Sequence, residues 1–212
     1  MRTVTLQSIL LRAWQRVGND AGTGATPIDN IPASAQTMLV AAANERIADC
    51  WEWADWPELM RVESRTVQGD ATNGYYIDYV QTGSPTPTPM GEVFAVYRDN
   101  PSTHVAPREI GYTLLGDAVR FPEDSDLPTS VWVRYRVRPD TYTPSNLSAT
   151  VPAVLAKAVG LMLSADLLTE DGQLDKALAM EQLAESELIS QRDKYYFQQG
   201  QPSMWTARVN QY

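Results

Sequence analysis

Residues 151–168, VPAVLAKAVGLMLSADLL, are apolar almost all the way round a helical wheel, and this run constrains the fold more than any other. A helix with one apolar stripe can lie on a surface, but a helix without a polar face has to be covered on several sides, by its own domain or by neighbouring subunits. The run approaches the roughly 18–20 residues of a membrane span. Lys157, Ser164 and Asp166 interrupt it, so a core helix is predicted. The rest of the chain must supply its cover.

Three further segments have helical spacing. In residues 5–17, TLQSILLRAWQRV, the apolar residues Leu6, Ile9, Leu10, Ala13, Trp14 and Val17 recur at three and four, and Gly18-Asn19-Asp20 ends the pattern. A loop, NDAGTGATPIDNIP, follows. A second helix is predicted from near Pro32, whose missing N–H has no helical partner in a first turn. Its face of Ala35, Leu39, Ala42, Ala43, Ile47 and Cys50 is small enough for close helix approach, and the first two helices are expected to pack as an antiparallel pair. After the break TEDGQ, residues 173–197 read as a fourth helix, amphipathic through Leu174, Leu178, Leu188 and Tyr195.

Between residues 60 and 140 the period changes to two. RVESRTV, GYYIDYV, EVFAVYR and SVWVRYRVRP have strand character, and REIGYTLLGDAVRFP has the shape of a hairpin turning near Gly116-Asp117. Clusters of Pro, Gly, Ser and Asp separate them, PTPTP reading as a stiff loop tip. The expected fold class is therefore α+β: a bundle of about four helices with an inserted antiparallel β subdomain of four to six strands and an extended C-terminal tail. Residues 1–58 form a first helical pair, 59–143 the β-rich insertion, 144–197 a second helical pair packing with the first, and 198–212 the tail.

Composition excludes more than it selects. There are 17 basic and 26 acidic side chains, a net charge of -9, so phosphate is repelled on average. That argues against a simple nucleic-acid binder, though not against a surface that lets DNA slide past. A single histidine, His104, and a single cysteine, Cys50, leave His/Cys metal sites and Ser-His or Cys-His catalysis poorly supplied. Cys50 has no internal disulfide partner, and no signal-peptide pattern opens the chain; a soluble protein of a reducing cytosol is expected. Phosphate-loop, dinucleotide, HExxH and GxSxG motifs are missing. Asp117, Glu123, Asp124 and Asp126 cluster at turns, where aspartates usually bond their own backbone. No catalytic residue, metal or cofactor is expected.

Three features point to interaction. In residues 131–138, Val131, Val133, Tyr135 and Val137 alternate with Trp132, Arg134, Arg136 and Arg138. The guanidiniums either pair with carboxylates on neighbouring strands or form a docking surface for an acidic partner. Trp51, Trp53 and Trp56, just before Pro57, suit a joint between a helical pair and a sheet; the alternative is a stacking platform for sugars, as in a carbohydrate- or receptor-binding tail module. The tail carries Met204, Trp205, Arg208, Val209 and Tyr212, more anchors than a solvating terminus needs, and is expected to fold onto another chain.

The stretches LQSILLRAWQRVG, AAANERIADCWEWADWPELMRVESRTV, VWVRYRVRPDTY and VPAVLAKAVGLMLSADLLTEDGQLDKALAMEQLAESELISQRD, in this order, resemble the head-to-tail adaptor (connector) family of tailed bacteriophages over nearly the whole chain. The resemblance implies a non-enzymatic virion protein, made in the host cytoplasm, that forms a ring of commonly twelve copies in the neck of the particle. Such a ring joins the capsid portal to a stopper or tail protein and lines a channel through which DNA passes without sequence-specific binding and without a membrane. It also implies that the terminal segment, with Met204, Trp205, Arg208, Val209 and Tyr212, meets the portal.

Overall fold

The computed structural model describes residues 2–19, 28, 31–70, 74–80, 90–116, 118–122 and 127–198. Its elements in chain order are β1 (Thr3–Thr5), α1 (Leu6–Arg16), α2 (Ala33–Trp53), β2 (Met60–Thr66), β3 (Gln68–Asp70), β4 (Gly74–Asp78), β5 (Met90–Tyr97), β6 (Thr113–Leu115), β7 (Ala118–Arg120), β8 (Ser130–Val137), β9 (Thr150–Pro152), α3 (Ala153–Glu170) and α4 (Leu174–Gln198). The fold is α+β, with four α-helices and antiparallel sheets among the described residues. The chain divides into two compact units: Met1–Glu58 with Asp140–Tyr212, and Leu59–Pro139.

In the helical unit α3 is the central element, buried along Val154, Leu155, Ala158, Val159, Leu163 and Leu168, and α1, α2 and α4 each pack on it. Its missing polar face decides this arrangement, and it corrects the expected pairing of the first two helices. α1 and α2 touch one another little, because each finds its apolar partner on α3. Close approach of α1 uses Gly160, where a Cβ would stand 3.4 Å from the Arg16 guanidinium and 3.6 Å from Ile9. Across the core, Asn44 holds the backbone of Tyr142 twice, donating to its carbonyl at 3.0 Å and accepting from its N–H at 2.8 Å.

Two expectations about the later helices shift. Val151 and Pro152 are extended and pair with β1 in the register Val4↔Val151; α3 starts only after Pro152, which disfavours helical backbone in the residue before it. On α4 the buried stripe is Ala177, Ala184 and Leu188, while Leu174 and Leu178 are 64% and 56% exposed. Small residues let α4 lie close to α3, as at Ala177 beside Ala165 and Leu168, and this turns those two leucines outward. Lys157 of α3 pairs with Glu187 of α4, which fits an antiparallel hairpin closed at Asp171-Gly172.

The β unit has two antiparallel sheets, ordered β2-β8-β5 and β3-β4-β7-β6. That makes seven strands among the described residues, against four to six expected. The surplus comes from three-residue strands, too short for alternation to register. The β6–β7 hairpin turns where the sequence places it, pairing Leu115 with Ala118 across a Gly116 in left-handed backbone (φ 57). Ile77 and Val119 from one sheet share a core with Val93, Val96, Val131, Val133 and Tyr135 from the other. Asp117, Glu123, Asp124, Asp126, the PTPTP stretch, most of the loop before α2 and the tail residues Met204, Trp205, Arg208, Val209 and Tyr212 lie outside the described residues.

Candidate interaction surfaces

The three arginines of the β8 segment have different surroundings. Arg136 is buried, forms an ion pair with Glu92, its cross-strand neighbour on β5, and sits 5.9 Å over the Phe94 ring. Arg134 is exposed and stands opposite Val62 and Ala95, so no acid faces it in the ladder. Arg138 is exposed just past the strand. One guanidinium of the three is therefore a salt-bridge member, and the other two are exposed, with no ion pair among the described residues.

A second buried arginine has no counterpart in the alternation of the sequence. β2 pairs with β8 so that Arg61, Glu63 and Arg65 stand opposite Tyr135, Val133 and Val131, on the core side of the sheet. Arg65 is 2% exposed. It contacts Glu63 at 3.1 Å, donates to the Tyr135 hydroxyl at 3.3 Å and lies 5.5 Å over the Tyr135 ring. Burial, with the hydrogen bond to Glu63, pushes the Tyr135 phenol up to about 12. RVESRTV is charged on one face and mixed on the other, so alternation alone did not say which face meets the core.

The tryptophans separate by exposure. Trp56 is fully buried and donates its indole N–H to the Cys50 carbonyl at 2.8 Å. Trp53 is 37% exposed; it stacks on Trp56 at 6.1 Å between ring centroids and carries the Arg192 guanidinium 5.4 Å over its ring. Trp51 is half-buried. One turn beyond Arg192, the Tyr195 hydroxyl bonds the Glu58 carboxylate. Within the helical unit, Trp53 and Glu58 thus tie the end of α2 and the segment after it to the last turns of α4.

A cavity of about 280 Å³ opens between α1, α2 and α3, with no α4 residue in its lining. Trp14, Leu39, Leu163 and Leu167 form its apolar part, and Met38, 54% exposed, stands at its edge. The indole N–H of Trp14 is buried and meets no acceptor among the described residues. Asp166 is held by Arg46, with Nε–H to Oδ2 at 3.0 Å, but Glu170 and Asp171 are exposed and have no cationic partner among the described residues. They lie at the C-terminal end of α3, where the helix dipole adds negative potential. No local sequence signal marks the cavity, because its lining comes from residues 14–19, 35–42 and 163–171, each with only part of it.

Nothing among the described residues forms a group of three His, Cys, Asp or Glu side chains able to hold a metal ion. His104 is exposed, and burial, reinforced by Asp49, pushes the Cys50 thiol up to about 12, so it behaves as a small core hydrophobe. No described helix is long and apolar enough to cross a membrane. No protein-family model matches the sequence, and no curated protein matches it.

Proposed function

We propose that the chain is a structural adaptor of a phage neck: a ring of identical copies that joins the capsid portal to a stopper or tail protein and lines the passage for DNA. The observation that carries this reading is the architecture, a four-helix unit centred on an apolar helix and interrupted by an antiparallel β insertion, in the order by which the sequence resembles that family. Apolar side chains left on the outside of the helical unit, among them Met38, Leu174, Leu178 and Leu183, suit a surface that neighbouring copies cover. The net charge of -9 suits a wall to which DNA does not adhere. The tail after Gln198 supplies contacts to another chain, and the ring has no catalytic task.

Electron microscopy of the purified chain mixed with the portal of the same virus tests this. A closed ring stacked coaxially on the portal is the expected image. A chain that sediments as a monomer with portal present, and decorates no portal particle, overturns the reading.

A further inference from the structure

We propose that the cavity between α1, α2 and α3 is the socket for Trp205 of a second copy, with Arg208 of that copy against Glu170 and Asp171. This deepens the ring reading by naming the neighbour as the acceptor; it rests on self-association and not on the portal. It also gives Trp205 and Arg208 a different destination from the portal contact that the resemblance implies.

The socket has a specific chemistry. Its volume of about 280 Å³ lies just below the roughly 300–1,000 Å³ of most small-molecule sites, and suits one or two large side chains. The apolar lining asks for a bulky hydrophobe, and the acidic edge at the end of α3 asks for a cation beside it. Beyond Lys194 the sequence holds one cation, Arg208, and it follows Met204-Trp205 by three residues. Three residues span at most about 10 Å, so anchor and charge reach one site together. Trp and Arg are also the residues that most often dominate interface energetics.

Reach favours a neighbour's tail over the chain's own. The Lys157–Glu187 pair fits α3 and α4 running antiparallel, so the end of α4 lies at the opposite end of the bundle from the socket. Helical rise over Leu174–Gln198 separates the two by on the order of 30 Å. Seven extended residues from Gln198 to Trp205 cover at most about 25 Å. A neighbour's Trp205 meets no such limit. Such a contact joins two different surfaces of the same molecule, a heterologous interface whose repetition builds a ring if the rotation closes.

The test is a titration of a fluorescent, C-terminally amidated peptide of residues 199–212 into the full-length chain, held at a concentration where it is monomeric, read by anisotropy. Saturable binding is expected, weakened at least tenfold by Trp205→Ala in the peptide. A protein carrying Glu170→Lys and Asp171→Lys should bind the native peptide at least tenfold more weakly and a peptide with Arg208→Glu as well as or better than the native one. Both sites are exposed, so circular dichroism should show an unchanged fold. No saturation up to millimolar peptide, or binding indifferent to Trp205→Ala or to the charge reversals, overturns the proposal. A peptide that fails while portal still organises the chain into a ring removes the socket and leaves the adaptor reading standing.

Discussion

The two units handle buried charge in opposite ways. In the helical unit, the bridging ion pairs sit at the edge of the core: Arg46 and Asp166 join α2 and α3 with side chains 29% and 30% exposed, and Glu187 of α4 is met by Lys157 of α3, whose side chain is 61% exposed. The β unit draws guanidiniums inside, with Arg65 at 2% and Arg136 at 5% exposure. A helix with apolar residues on every side leaves no polar register to accommodate. A sheet built from RVESRTV has to put either its charges or its Val62 on the core side, and the pairing with β8 puts Arg65 there. What makes that tolerable is the flat guanidinium, which can stack on Tyr135 while bonding Glu63.

The largest effect should come from the helical unit, where an apolar core leaves no polar alternative to a lost side chain. Trp56→Ala should destabilise the protein by about 3–5 kcal/mol in urea unfolding, since the indole is fully buried. Trp53→Ala, removing a partly exposed ring and its contact with Arg192, should cost about 1 kcal/mol. Equal losses would show that the stack on Trp56, and not burial, sets the strength of this corner.

In the β unit the informative pair of substitutions falls at the buried arginine. Glu63→Ala takes a charged partner from Arg65 and should cost about 1–3 kcal/mol. Arg65→Met, which removes the buried charge and keeps the volume, should leave stability within about 1 kcal/mol of the parent or raise it. If Arg65→Met is as damaging as Glu63→Ala, the guanidinium is a net stabiliser, and the contrast between the two units narrows.

How far the sequence foretold these differences depends on range. The apolar run became the central helix because its lack of a polar face is visible within 18 residues, and the Gly116 turn needed only its own neighbours. The leucines of α4 are exposed against expectation because hydrophobicity ranks Leu above Ala, whereas a close helix contact selects the smaller side chain. Short strands such as β1 and β9 are defined by partners almost 150 residues apart, as Val4 and Val151 are. The socket is harder still: Trp14 looked like one more core position of α1, and only the approach of α2 and α3 leaves it beside a cavity.

Alkaline pH should weaken both units. The Tyr135 phenol in the β unit and Tyr142 in the helical unit are each pushed up to about 12, both chiefly by burial. In the unfolded chain a tyrosine ionises near 10. Between about pH 10 and 12 the unfolded state therefore loses protons that the folded state keeps, so stability is complete below that window and falls as pH rises through it. Tyr135→Phe should flatten part of the slope seen in denaturant melts across this range. A slope unchanged in that variant would assign the alkaline loss to other groups.

The smallest effect on the isolated chain should come from its exposed apolar side chains, and it distinguishes the units most directly in assembly. Leu178, 56% exposed on α4, and Leu115, 53% exposed on the β6 strand, are comparable in size and solvent contact. Changing either to Ser should move stability by no more than about 0.5 kcal/mol, because neither side chain loses much contact within its own unit. If neighbouring copies cover the helical unit, Leu178→Ser should raise the protein concentration needed for self-association in sedimentation velocity, and Leu115→Ser should leave it unchanged. Equal shifts, or none, would mean that the outward leucines of α4 are ordinary surface residues and that copies meet through other faces.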